Sequence, residues 1–264
     1  MSGIINIIND PNSTANELKE LIEIDAPLAS KVLKIANSAF YYRGYHVSDI
    51  KQAIIWIGYD SIKELALSQK VCEIFKKNLS IDGYSRASLW RHSIAVALFS
   101  KFIFRREFGE KGDNIYAAGL LHDIGIIAED QFLHEGFSEC VLKLRKEMKN
   151  FSEIESEVFN LTHADIGKSI ARNWNLPEEL VIAIGCHHNL IKIPEEYLRT
   201  VMTLHIADCF CQDNGIGFVE GFYKNNGSFK ECLSRLKIQP CALDLIIKDV
   251  HQEIKKYTRA GILL

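Results

Sequence analysis

The sequence predicts an all-α protein, a helical bundle preceded by a helical N-terminal subdomain. Apolar residues recur mainly at spacings of three and four, only five prolines interrupt 264 residues, and no stretch alternates polar and apolar side chains as a half-buried strand would. A hydrophobic share of 47% with 25% charged residues is enough to build a sizeable core.

The elements follow in order. Thr14-x-x-Glu17 is a capping box, and the helix it opens should end near Asp25, before Pro27. Leu28, Val32 and Ile35 form the next stripe, running into Asn37-Ser-Ala-Phe40. A helix from about Ser48 carries Ile50, Ile54 and Ile57 to a stop at Gly58, and Ser61-x-x-Glu64 repeats the capping signal for a helix ending near Lys77. Asn78 to Arg86, with Asp82-Gly83, is the best internal boundary, so residues 1–85 are expected to form one subdomain and 86–264 a second, packed on the first.

In the second part, Leu89 to Phe104 is apolar nearly all round and predicts a buried central helix with His92 in its first turns. Asn114 to Ile127 predicts another, carrying Gly119 and the pair His122-Asp123, and the segment after it reads as a long loop. Phe159, His163, Ile166, Ile170 and Trp174 then share one helical face, with Lys168 and Arg172 on the other. Pro177-Glu178-Glu179 opens a helix whose inner face reads Leu180, Ile184, His187, His188 and Ile191. A further helix places Asp208 on a stripe with Val201, Leu204 and Cys211. Gly215 to Gly227 is glycine-rich and irregular, and helix resumes from about Phe229.

Composition excludes several function classes. A net charge of -3 and a pI near 6.3 give no global footprint for nucleic acid. The N-terminus lacks a basic flank, a long apolar run and a cleavage site, so a cytoplasmic protein without a membrane span is expected. Seven dispersed cysteines without a C-x-x-C pair suggest neither a disulfide framework nor a zinc knuckle, and Cys209 and Cys211 read as core thiols.

The chemistry lies in histidines and aspartates on apolar stripes, where an unpaired polar group is costly to bury. His92, His122, Asp123, His163, His187, His188 and Asp208 fall on five predicted helices, each near the inward face, which points to one shared metal site. Imidazole and carboxylate suit iron, zinc, manganese or nickel better than calcium, and the number of ligands allows one or two ions, with Asp123 able to bridge a pair. His134, His205 and His251 read instead as ordinary core histidines, and His46 as a loop residue.

This pattern resembles a known family. His92, His122-Asp123 and Asp208 look like the HD superfamily of metal-dependent phosphohydrolases. The HDOD branch is resembled more narrowly by Asn37-Ser-Ala, Ala53-Ile-Ile-Trp-Ile-Gly58, Leu89-Trp-Arg-His92, His163-Ala-Asp-Ile-Gly167, Trp174-Asn-Leu-Pro177 and His187-His188, over about residues 10 to 215. The resemblance implies an all-helical bacterial signalling module, often an output or adaptor domain, with no general enzymatic activity. Many members have lost the metal ligands, and this chain keeps them, as do the related HD-GYP cyclic-dinucleotide phosphodiesterases. It departs from those enzymes at Ile126, where they have lysine, at Asn189, where they have glutamate, and in lacking Gly-Tyr-Pro.

The leading expectation is therefore a cytoplasmic signalling protein that acts by binding a protein partner and holds a divalent metal. The alternative is a phosphohydrolase acting on a nucleotide or cyclic dinucleotide through His122 and Asp123. Arg91, Lys168 and Arg172 are the only cations near the motifs, and they read as solvated, which weighs against catalysis. A third reading is a buried histidine network without metal. An aromatic cluster, Phe40, Tyr41, Tyr42 and Tyr45 with Arg43, either seals the junction of the two halves or offers a docking surface.

Overall fold

Helix boundaries in the N-terminal half are set by side chains just outside them. The computed structural model describes residues 7, 10, 12–38, 41, 44, 46–75, 80–81, 83–147, 149–221 and 227–259. Thr14 caps α1 (Ala15–Glu23): its hydroxyl accepts from the Glu17 N–H at 3.3 Å, and the Glu17 carboxylate accepts from the Thr14 N–H at 2.7 Å. Asp25 caps α2 (Ala26–Ala36) and Asp49 caps α3 (Ile50–Ile57) in the same way. Asn37 acts as a clasp between them. Its amide donates to the carbonyls of Leu33 and Val47, and its oxygen accepts from the Val47 N–H.

Gly58, at φ +96°, turns the chain directly into α4 (Tyr59–Phe75). The capping box expected at Ser61 does not form, because the helix starts two residues earlier and Glu64 is buried beside Lys101. The boundary segment holds a two-residue antiparallel ladder, β1 (Ser80–Ile81) with β2 (Tyr84–Ser85), which is too short to show as alternation in the sequence. The class remains all-α.

The central helix is α5 (Arg86–Ile103), extended by a π-helical turn at Phe104–Phe108. After it come α6 (Asp113–Leu121), α7 (Ile124–Phe132), α8 (His134–Leu144), α9 (Phe151–Phe159), α10 (His163–Asn173), α11 (Glu178–Cys186), α12 (Leu198–Asp213), α13 (Gly227–Leu236) and α14 (Pro240–Arg259). Helix α5 packs against α6, α12 and α14, and α4 reaches it from the N-terminal half. Gly119 lets α6 cross α5 closely, since a Cβ there would lie 2.5 Å from the Ala97 Cα.

Several expectations change. The expected helix Asn114–Ile127 is broken at His122-Asp123, and the expected loop beyond it is three helices, α7 to α9. Phe132, Leu133 and Leu142 face solvent there and blur the periodicity. The stripe from Ile154 to Trp174 is two helices, because Asn160 turns left-handed at φ +57° and Thr162 caps a fresh start. Ile191, His134 and His251 are exposed, so none is a core residue, while His46 is the exposed loop residue expected. Phe40, Tyr42, Arg43 and Tyr45 lie outside the described residues, while Tyr41 is half-buried against the core. Among the described residues no helix is long and apolar enough to cross a membrane.

Candidate metal centre

Helix ends rather than helix faces supply most of the centre. His92 projects from the second turn of α5 and Asp208 from the middle of α12. His122 and Asp123 occupy the break between α6 and α7, His163 is the first residue of α10, and His187 and His188 follow the end of α11. At the break Asp123 stands in the N-cap position of α7 without capping it, because both its oxygens turn inward. Forgoing that cap costs about 1 kcal/mol.

Glycines bring the two His-Asp segments together. A Cβ on Gly125 would lie 2.0 Å from the His163 carbonyl oxygen, and one on Gly167 would lie 2.9 Å from Ile184 and 3.5 Å from Ile124. The backbone entering α10 therefore rests directly on the start of α7, and His163 faces Asp123.

All seven expected residues converge in one buried cluster. His92 Nε2 lies 3.0 Å from Asp208 Oδ1 and 3.7 Å from Asp123 Oδ2, and His122 Nε2 lies 3.0 Å from Asp123 Oδ2. On the other side, Asp123 Oδ1 lies 3.7 Å from His163 Nε2 and 3.6 Å from His187 Nε2. His188 Nδ1 lies 3.7 Å from Asp208 Oδ2. Two ligand sets result, His92, His122 and Asp123, and Asp123, His163, His187 and His188, sharing the one carboxylate. Asp208 borders both.

The tautomers decide what this cluster can hold. The Nδ1–H of His92, His122 and His187 donates to the carbonyls of Ile216, Gly119 and Ile184 at 3.1, 2.8 and 2.7 Å, and the Nδ1–H of His163 donates to Glu155 at 2.8 Å. Each ring therefore turns its Nε2 inward, the atom that ligates a metal once its proton is lost. There the His163 and His187 Nε2 atoms face one another at 3.3 Å, and the other Nε2 atoms face carboxylate oxygens. His122 Nε2, both oxygens of Asp123 and Asp208 Oδ2 are buried with no hydrogen-bond partner. These residues fit a borderline divalent metal, which accepts from imidazole and carboxylate together.

The charge balance agrees. Burial lowers the affinity of His163 for a proton, yet Glu155 and Asp123 outweigh it and hold the ring up to about 10. Burial likewise opposes charge on His122, and Asp123 and Asp208 raise it. Asp123 sits well below the usual carboxylate range, where burial is outweighed by His122, His187 and His163. Burial and the neighbouring His187 push His188 well down. Among the described residues, no lysine or arginine pairs with Asp123 or Asp208. A bound cation would take the place of the protons that now balance these carboxylates.

A family model described as the HDOD domain matches residues 1–190. The chain belongs to the HDOD family. An HDOD domain protein of unknown function from Geobacter sulfurreducens has 28% identity and a TM-score of 0.80, covering 98% of this chain and 89% of that one. A candidate signal transduction protein of Marinobacter aquaeolei VT8 has 21% identity and a TM-score of 0.79, covering 99% and 58%. A candidate phosphohydrolase of Shewanella amazonensis SB2B has 20% identity and a TM-score of 0.74, covering 100% and 92%. An uncharacterized protein of Treponema pallidum (strain Nichols) is 27% identical over 208 residues, 76% of this chain, which spans 39% of that curated relative's length.

Around this HDOD centre, sequence reasoning missed two carboxylates. Glu155 of α9 holds His163, and Glu220 is fully buried beyond α12, 3.2 Å from His188 Nε2 and 3.9 Å from His163 Nε2. Glu155 lies on the stripe Phe151, Ile154, Glu155, Val158, the same signal that marked Asp208. Glu220 has no such pattern around it. His205, set aside as a core histidine, is one, and its Nδ1–H supports the His187 carbonyl at 2.7 Å. Arg91 is exposed, Arg172 pairs with Glu178 at the surface, and the Lys168 stem lies on Gly185. Ile126 is fully buried in the apolar core.

Proposed function

We propose that this HDOD protein is a cytoplasmic signalling module that acts by binding a protein partner. His92, His122, Asp123, His163, His187, His188 and Asp208 hold one or two divalent transition-metal ions, iron, zinc, manganese or nickel, that brace its second half. The observation that carries this reading is a centre largely buried and free of lysine and arginine, with His92, His122, His163, His187 and Asp208 all at 0% exposure and only His188 partly exposed. A phosphate substrate needs both entry and convergent positive charge. The likeness to the Marinobacter protein, whose description names signal transduction, is in keeping with it. Partner contact is assigned to residues 1–85, which a bare hydrolase would not need and which expose Ile24 and Ile55.

One observation favours a second reading. Asp123 presents one oxygen to His92 and His122 and the other to His163 and His187, the arrangement a two-metal phosphohydrolase uses to bridge its ions. Bound ions would supply Lewis acidity, with His122 and Asp123 as their holders.

Elemental analysis of protein purified without chelator, alongside turnover assays on nucleotides and cyclic dinucleotides with manganese and iron, separates the two. Metal without turnover, with metal lost in His122→Ala/Asp123→Ala, is the expected result. Robust cleavage abolished by His122→Ala would put the hydrolase reading in its place.

A further inference from the structure

After α12, residues 216–220 run past the centre, and most of them are tied down. The Ile216 carbonyl accepts from His92 Nδ1–H, and the Phe218 N–H donates to the Ser88 carbonyl at 3.1 Å. Gly217, at φ +83°, lies so close to α5 that a Cβ would meet the Ser88 oxygen at 2.4 Å and the His92 nitrogen at 2.6 Å. The Phe218 ring is wedged between Tyr84 and Phe151 at 5.2 and 5.7 Å. The Glu220 N–H donates to Gln212 Oε1 at 3.0 Å, and its carbonyl accepts from the Phe151 N–H at 2.8 Å. The backbone is thus fastened to α5, α9 and α12 at once.

What this fastening delivers is a carboxylate. Glu220 is 0% exposed, its Oε2 approaches His188 and His163, and its Oε1 has no hydrogen-bond partner. Salt bridges to lysine or arginine are lacking for it among the described residues. Burial and the nearby Asp123, Asp208 and Glu155 all oppose a negative charge on it, so an acid is a costly side chain to place there without a further partner, and a loop pinned this firmly could have carried Gln or Leu instead. The carboxyl group is aimed at the ligand set of Asp123, His163, His187 and His188.

We propose that Glu220 is an endogenous ligand of the ion held by Asp123, His163, His187 and His188, and that it fills the coordination position where an anionic substrate oxygen would otherwise bind. The centre is then closed by its own chain. This rests on the metal reading above and adds to it a reason for the site to exclude a phosphate substrate.

The test uses the full chain loaded with cobalt(II), with inorganic phosphate as the probe. Wild type, Glu220→Ala and the isosteric Glu220→Gln are compared by cobalt affinity, cobalt visible absorption and calorimetric phosphate binding, with thermal melts as a control on folding. Glu220→Gln keeps the volume and the backbone bonds, so it reports on the ligand even where Glu220→Ala unfolds. Both variants should bind cobalt at least about tenfold more weakly with an altered spectrum, and Glu220→Ala should bind phosphate where wild type does not. Wild-type cobalt affinity and spectrum in both variants would overturn the assignment of Glu220 alone. A wild-type protein that takes up no cobalt would overturn the metal reading and this inference together.

Discussion

Glu155 grips His163 twice, its carboxylate accepting from the ring Nδ1–H at 2.8 Å and from the backbone N–H at 3.1 Å. The contact fixes ring and backbone together, and it makes the inward Nε2 more basic, as an outer carboxylate does for a metal-bound histidine. Glu155→Gln should therefore lower zinc affinity about 10- to 100-fold, read by competition with a chromophoric chelator, while the far-ultraviolet spectrum stays that of a helical protein. Unchanged affinity would show that His163 does not bind metal.

Gly125 tests the contact between α7 and α10. Because a Cβ there would meet backbone rather than a movable side chain, Gly125→Ala has to push His163 away from Asp123. Overpacking of this kind costs roughly 1–3 kcal/mol, and metal content should fall with it. Gly44→Ala meets no atom within 4 Å but sits at φ +98°, so it should lose some stability and leave the metal in place.

Arg86 and Asp130 form an ion pair at 2.6 Å, with both side chains sealed from water and Tyr84 donating to the same carboxylate. Asp130→Asn leaves the guanidinium without its counter-charge and should cost about 3–5 kcal/mol in urea unfolding. Arg86→Met with Asp130→Leu removes both charges and should recover much of that loss. A small effect from either single substitution would contradict the burial seen here.

Glu129 supplies a pH dependence. Burial and the nearby Glu155 push its carboxyl up to about 10, far above an unfolded glutamate. Between the unfolded value and about 10 the native protein holds a proton that the unfolded chain has released, so stability falls as pH rises, by at most about 1.4 kcal/mol per pH unit. Glu129→Gln removes that slope. The variant should gain on wild type steadily from pH 6 to pH 9 in paired melts, and a constant difference would mean that Glu129 is ionised in the fold.

The class and the residues of the cluster were legible because the signal for each was local. A polar residue on an apolar stripe marked His92, His163 and Asp208, and all seven marked residues meet in the cluster. What was not legible depended on distant partners. The break at His122-Asp123 exists because Asp123 turns into the cluster rather than capping its helix, and nothing within a few residues announces it. Glu155 carried the same stripe signal as Asp208, and what the sequence did not announce is its partner, His163. Glu220 sits in a glycine-rich stretch with no period to read, and its place follows from bonds to Gln212 and Phe151.

The loop that ends at Glu220 also bears on how the chain is made. His92 meets Asp208 across 116 residues and Ile216 across 124, so the cluster cannot close until most of the protein has left the ribosome. Closing so long a loop is an entropic cost that comes before any contact rewards it. Until then the histidines and aspartates are separate and their segments are incomplete, with the apolar stripes around them uncovered. Any ion this centre takes up would thereby be taken up late in biogenesis, after synthesis has run past the last of these segments.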